Sequence, residues 1–118
     1  MYLRGQIYEF VDKDGSRNKK ALIVSDNDRA ESKTLSILTS KSYRDGISMQ
    51  RVKMRKEPVY FNCNMITYCN ADQLGDLIGA VDTKVMDQID RKLIRAIGLE
   101  KYKSAYDLVK EIVEGNNK

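Results

Sequence analysis

Two apolar runs, Ala21-Leu22-Ile23-Val24 and Leu35-Ser36-Ile37-Leu38, flank a polar, turn-forming stretch from Ser25 to Lys33. Both are short and rich in β-formers, which predicts two adjacent strands. Antiparallel pairing sets the start of the first beside the end of the second, bringing Lys19 and Lys20 towards Thr39, Ser40 and Lys41. Upstream, Leu3 to Val11 alternates loosely and reads as an opening strand. It closes on Asp12-Lys13-Asp14-Gly15-Ser16, a turn whose Asp and Gly tolerate the positive φ of a tight reversal.

Ser42 to Gly46 reads as a loop, with Asp45-Gly46 as its turn signal. Ile47 to Lys56 then has strict period two, with Ile47, Met49, Arg51, Lys53 and Arg55 on one face and Ser48, Gln50, Val52, Met54 and Lys56 on the other. Neither face is cleanly apolar, as expected of an edge strand whose cations reach solvent or ligand. Pro58 marks entry to Val59–Cys69, two β-rich pieces meeting near Asn62-Cys63-Asn64, where a kink or a bent continuous strand is expected. Asp72 to Leu77 is ambiguous, because Gly75 and Gly79 oppose a long helix. Val85, Met86, Ile89, Leu93, Ile94 and Ile97 then recur at helical spacing, with Asp82 or Thr83 as N-cap and Gly98 as stop. A second helix is predicted from Ser104 to about Glu114, with Ala105, Leu108, Val109, Ile112 and Val113 as a stripe expected to pack on the first helix, or else to form a dimer surface.

Five or six strands followed by two helices predict an α+β fold with an antiparallel sheet and argue against a βαβ nucleotide fold. The 118 residues fit one domain over 1–118, with 100–118 as a C-terminal helical extension. A charged fraction of 32% beside a hydrophobic fraction of 42% describes a soluble globular chain, not a disordered one. No apolar run approaches the roughly 20 residues of a membrane span, and the N-terminus lacks a signal-peptide apolar region, so a cytoplasmic protein is expected. Cys63 and Cys69 have five residues between them, with no histidine and no third cysteine in the chain. That argues against a zinc site and predicts reduced strand residues. No metal or cofactor is expected, and Walker, GxGxxG, HExxH and GxSxG motifs are absent.

Charge changes the picture more. Residues 1–56 carry 13 Lys/Arg against 7 Asp/Glu, whereas 57–118 carry 8 against 10. The cationic surface belongs to the N-terminal half, which favours a polyanionic partner such as a nucleic acid or an acidic protein segment. On the rim of the predicted hairpin, ammonium groups beside Thr39 and Ser40 suit a phosphodiester: cations neutralise its oxygens while a hydroxyl donates to them. Arg44, Arg51, Lys53 and Arg55 are placed to track flanking phosphates, and Tyr43 to stack on a base. Spacing alone also fits a solvated sheet edge guarded by lysines, with Tyr43 packed on its own loop.

Several stretches together resemble one family. Arg4-Gly5-Gln6-Ile7-Tyr8 resembles the R-G-D/E-I-Y opening of the MazF/PemK bacterial toxins, and Lys19 to Asn27, KKALIVSDN, resembles their R-P-V-V-I-V-S-N-D strand. Leu35 to Lys41, LSILTSK, is similar to the strand closing on T-S/G-R/K, and Asn64 to Leu99 is similar to the family's Q-I-T-T-V-D-K-S-R-L-G-x-x-I-G-x-L block and the helix after it. The matches run in collinear order over roughly residues 3–99.

The resemblance implies a small antiparallel β-barrel of Src-homology-3-like type, shared with the CcdB gyrase poisons, followed by helices and assembled as a homodimer. It further implies sequence-specific, metal-independent cleavage of single-stranded RNA by 2′-hydroxyl attack, and an antitoxin whose acidic C-terminal segment blocks the RNA groove. Carried over by position, the catalytic threonine falls at Thr39 and the catalytic arginine at Lys19, with Arg17 two residues earlier as a substitute. Lys20, Ser40, Lys41, Tyr43, Arg44, Arg51, Lys53 and Arg55 are the expected RNA-binding residues. Lysine in the arginine position keeps the charge but loses the bidentate fork. That departure leaves open a non-catalytic nucleic-acid- or protein-binding member of the same fold, such as an inactivated relative or a gyrase-directed poison.

Overall fold

The computed structural model describes residues 2–25, 33–41, 48–98 and 105–116, with the side chains of 105–108 and 116 excepted. Six strands form one antiparallel sheet: β1 (Gln6–Phe10), β2 (Lys19–Ile23), β3 (Lys33–Thr39), β4 (Met49–Val52), β5 (Val59–Asn70) and β6 (Leu74–Ala80). Two helices follow, α1 (Thr83–Ala96) and α2 (Ala105–Asn116). The sheet order is β4-β5-β3-β2-β1-β6, so the ladder ends at β4 and β6 among the described residues. The ambiguous segment after Asp72 resolves as β6, an edge strand whose Gly75 lies against Arg17 and whose Gly79 lies against Met54.

The unbroken apolar run of β2 is explained by cores on both faces of the sheet. Leu22 joins Ile7, Ile37, Phe61 and Cys63 on one face, under Met86 and Ile89 of α1. Ala21 and Ile23 join Tyr8, Phe10, Leu38, Cys69 and Leu74 on the other. The hairpin register pairs Ala21 with Leu38 and Leu22 with Ile37, as the two apolar runs predict.

β5 is the expected bent strand, continuous over 12 residues. Ile37 pairs with Ile66 and Thr39 with Phe61, so five steps on β5 oppose two on β3 and three extra residues bulge out. Asn62 Oδ1 accepts from the Asn64 backbone N–H (2.9 Å), and the Asn64 amide donates to Ser48 Oγ (2.7 Å), which holds the bulge. An odd insertion flips the side-chain alternation. Cys63 and Cys69 therefore sit in different cores despite their even spacing, and both are free thiols.

Burial pushes the Cys63 thiol up from 9.0 to about 11, against the downward pull of the Lys92 ammonium. Cys69 is also raised by burial, against its hydrogen bond with Ser36. The unfolded chain ionises first as pH rises, so this contribution to stability is full below the ordinary thiol range and is lost as pH climbs towards 11. Iodoacetamide at neutral pH is expected to label neither cysteine until urea unfolds the chain; rapid native labelling would contradict the burial.

Asp82 caps α1, its side chain accepting from the Val85 N–H at 2.9 Å, and Gly98 at φ +79° ends it. The opening motif ties this helix to the sheet. Arg4 makes a two-pronged ion pair with Asp90 and donates from Nε to the Val24 carbonyl at 3.1 Å. Gly5, at φ +91°, donates to the Ile23 carbonyl (2.8 Å) and accepts from Val81 (2.9 Å), a conformation that disfavours any side chain. Gln6 Oε1 accepts from the Leu3 N–H (2.8 Å) and the Tyr8 hydroxyl (2.9 Å), so the carboxamide keeps the acceptor of the family's acid without its charge.

α1 uses only part of its predicted stripe. Met86 and Ile89 are buried and Val85 and Leu93 pack beside them, whereas Ile94 and Ile97 are exposed. On α2, Val109, Ile112 and Val113 are exposed, so the expected packing of their stripe on α1 is not found. The sheet has already taken up the inward face of α1, and Ser104, the expected start of the second helix, lies outside the described residues. No helix among the described residues is long and apolar enough to cross a membrane.

Candidate functional site

The turn after β1 begins the site. The Asp12 N–H donates to the Ser16 carbonyl, the Gly15 N–H to the Asp12 carbonyl and the Ser16 N–H to Asp14 Oδ1, each at 2.9 Å. Gly15 adopts φ +84°, which explains the glycine. Those Ser16 hydrogen bonds hold the exposed Asp14 carboxyl below its usual range. The reversal delivers Asn18, Lys19 and Lys20 alongside the end of β3, and the bulge in β5 brings Pro58 to Tyr60 beneath them.

Between these elements lies a cleft of about 450 Å³. Lys19 and Lys20 line one wall, Thr39, Ser40 and Lys41 a second, and Glu57 to Tyr60 a third. Thr39 is half-buried, and its Oγ1 accepts from the Lys20 backbone N–H at 3.0 Å. That bond occupies a lone pair and leaves the hydroxyl hydrogen to be donated. The Ser40 N–H donates to the Tyr60 carbonyl at 2.9 Å, fixing the rim of the cleft. Three ammonium groups face two carboxylates here, those of Asp12 and Glu57.

The cations and hydroxyls expected on one sheet rim thus do converge. Arg17 does not join them. Its guanidinium lies 3.3 Å from Glu9 and 3.9 Å from Asp76, over Gly75, where a Cβ would come within 2.9 Å of it. It lines a neighbouring groove of about 360 Å³ together with Lys20 and Arg55. Arg51 is exposed and pairs in register with Tyr60, while Lys53 is exposed just beyond β4. Tyr43 and Arg44 lie outside the described residues.

Sequence reasoning passed over Asp12, Glu57 and Tyr60. Asp12 was absorbed into a turn, and Glu57 and Tyr60 join the site only through the pairing of β3 with β5. The Arg51–Tyr60 register would have been the signal, since it sets an aromatic beside a cation-rich edge.

A scan against protein-family models gives no match, and a search of curated proteins gives none. Solved structures do match. The chain is similar to an endoribonuclease from a mycobacterial species, with 28% identity and a TM-score of 0.66 over 82% of this chain and 91% of that one. It is also similar to a mycobacterial endoribonuclease solved in complex with its cognate antitoxin, with 30% identity and a TM-score of 0.68 over 84% of this chain and 97% of that one. The chain belongs to the MazF-like toxin family. The Mycobacterium tuberculosis toxin MazF-mt6 shares the fold at a TM-score of 0.65, over 78% of this chain and 95% of its own, with only 13% identity. Lys19, which stands in the position of the family's catalytic arginine, lies inside the cleft of this MazF-like chain.

Proposed function

We propose that this MazF-like protein is an endoribonuclease toxin, cleaving single-stranded RNA in the Lys19–Thr39 cleft and held in check by an antitoxin whose acidic C-terminal segment competes for it. The observation that carries this reading is the cleft itself, in which Lys19, Lys20 and Lys41 surround a Thr39 hydroxyl fixed by the Lys20 N–H. The RNA 2′-hydroxyl attacks the adjacent phosphorus, forming the O2′–P bond as the P–O5′ bond breaks. Its proton passes to a cleft carboxylate, Glu57 or Asp12, and the Lys19 ammonium gives a proton to the departing 5′-oxygen. Thr39 and Ser40 donate to the non-bridging oxygens, and Lys20 and Lys41 neutralise charge building on the phosphorane.

The reaction proposed needs no metal and reads a short sequence. Purified protein is expected to cut mixed single-stranded RNA in EDTA at recurrent sites, and intact RNA would refute the proposal in favour of a non-catalytic binding module.

Barrel closure of Src-homology-3 type belongs to the same reading. Its support is side-chain packing between the sheet ends: a Cβ on Gly79 of β6 would meet Met54 Cε at 3.4 Å. Exposed Ile66 and Tyr68 on β5, and Val109, Ile112 and Val113 on α2, support a homodimer. Light scattering is expected to give twice the chain mass.

A further inference from the structure

Beside the Thr39 cleft runs the second groove, and Lys20, Glu57 and Val59 line both, so a strand leaving one enters the other. Its composition differs from that of the cleft. Met54, Val59 and Ile78 give it an apolar floor, and Ile78 is exposed there instead of being covered by protein. Lys20, Arg55 and Lys56 supply cations around it. Glu9 and Arg17 form one edge, joined Nη1 to Oε1 at 3.3 Å, with Asp76 Oδ2 3.9 Å from the same nitrogen. Both side chains keep solvent access, 28% for Glu9 and 49% for Arg17. An apolar floor with cations around it fits a nucleoside, whose base lies on the floor while its phosphates meet the cations.

We infer that this groove is a nucleobase subsite and that the Arg17–Glu9 edge reads guanine in single-stranded RNA. The edge presents a guanidinium donor beside two carboxylate acceptors. Guanine's pairing edge is the complement: an O6 acceptor followed by the N1–H and N2–H donors. Adenine and cytosine each set a ring-nitrogen acceptor beside their single amino group, and uracil flanks its one N–H with two carbonyls. Each of these turns a lone pair towards a carboxylate oxygen. An acidic peptide is the poorer occupant, because its carboxylates bring no donor to Glu9 and leave the apolar floor of Met54, Val59 and Ile78 unused. Arg17 is thereby a specificity residue, not a catalytic one. The inference rests on the ribonuclease reading for the course of the strand.

The test separates recognition from cleavage. The full-length wild-type protein is titrated with 2′-O-methyl pentanucleotides UUNUU, which lack the nucleophile, and binding is followed by calorimetry and amide chemical shifts. UUGUU is expected to bind about tenfold more tightly than its A, C and U counterparts, the scale of one or two charge-assisted hydrogen bonds. Glu9→Gln, which keeps the shape, is expected to erase that difference, and Arg17→Gln to reduce it. Equal binding of all four, binding of none, a guanine preference that survives Glu9→Gln, or shifts in this groove caused only by an acidic peptide would each overturn the inference. Guanine preference without cleavage of unmodified RNA would leave the subsite standing and remove the ribonuclease reading, and cleavage without guanine preference would do the reverse.

Discussion

Replacing Lys19 by alanine is expected to lower RNA cleavage by about a hundredfold or more, the usual scale for losing one positioned donor to a developing negative charge. The side chain stands in the cleft wall beside the Thr39 hydroxyl, where no arginine reaches the same space among the described residues. Lys19→Arg is expected to retain activity, because it restores the fork found in the family. Thr39→Ala is expected to lose a similar factor, and Thr39→Ser to recover most of it, because only the hydroxyl matters to the phosphate. Thr39→Ala also removes the acceptor of the Lys20 N–H, costing about 1 kcal/mol of stability. Single-turnover cleavage, with melting curves run alongside, distinguishes lost chemistry from lost fold. Lys84→Ala, on the exposed surface of α1, serves as the control for general charge. A rate unchanged in both Lys19→Ala and Thr39→Ala would place the chemistry elsewhere.

The largest stability effect is expected at Phe61, the largest of the fully buried side chains among the described residues. It lies where β5 meets both β3 and β4, paired with Thr39 on one side and Gln50 on the other, against the α1 face of the sheet. Phe61→Ala removes that ring and leaves a cavity between three strands and a helix, at a cost of about 3–5 kcal/mol. Against a total of about 5–15 kcal/mol for a domain, such a loss takes the chain close to unfolding. The urea midpoint should fall sharply, and Phe61→Leu should lose much less. A midpoint unmoved by Phe61→Ala would mean that this core does not hold the sheet to α1.

The parts of this fold legible in the sequence are those fixed by neighbours along the chain. The β2–β3 hairpin is legible because two apolar runs flank one polar turn, and the ends of α1 because Asp82 and Gly98 act within one helical turn. The parts that were not legible depend on distant partners. Gln50 looks like a surface residue on an alternating strand, yet it is buried. Lys92, 42 residues away, donates to its carbonyl, and Gln88, 38 residues away, accepts from its amide. Arg4 reads as part of a motif, but its partner Asp90 is 86 residues off. The bulge in β5 moves Cys63 and Cys69 to opposite faces, which an even spacing cannot reveal.

The candidate site divides the same way. Lys19, Lys20, Thr39, Ser40 and Lys41 come together because a hairpin brings its own ends together. Arg17 went astray because its position follows from Glu9 across the β1–β2 pair and from the space above Gly75 on β6, neither of which its neighbours in sequence betray.

Mass spectrometry of the ends left on an RNA cut by the wild-type protein in EDTA tests the central claim most directly. Attack by the 2′-oxygen with expulsion of the 5′-oxygen predicts a 2′,3′-cyclic phosphate on one fragment and a free 5′-hydroxyl on the other. A 3′-hydroxyl paired with a 5′-phosphate, or equal cutting of the DNA strand of the same sequence, would contradict it.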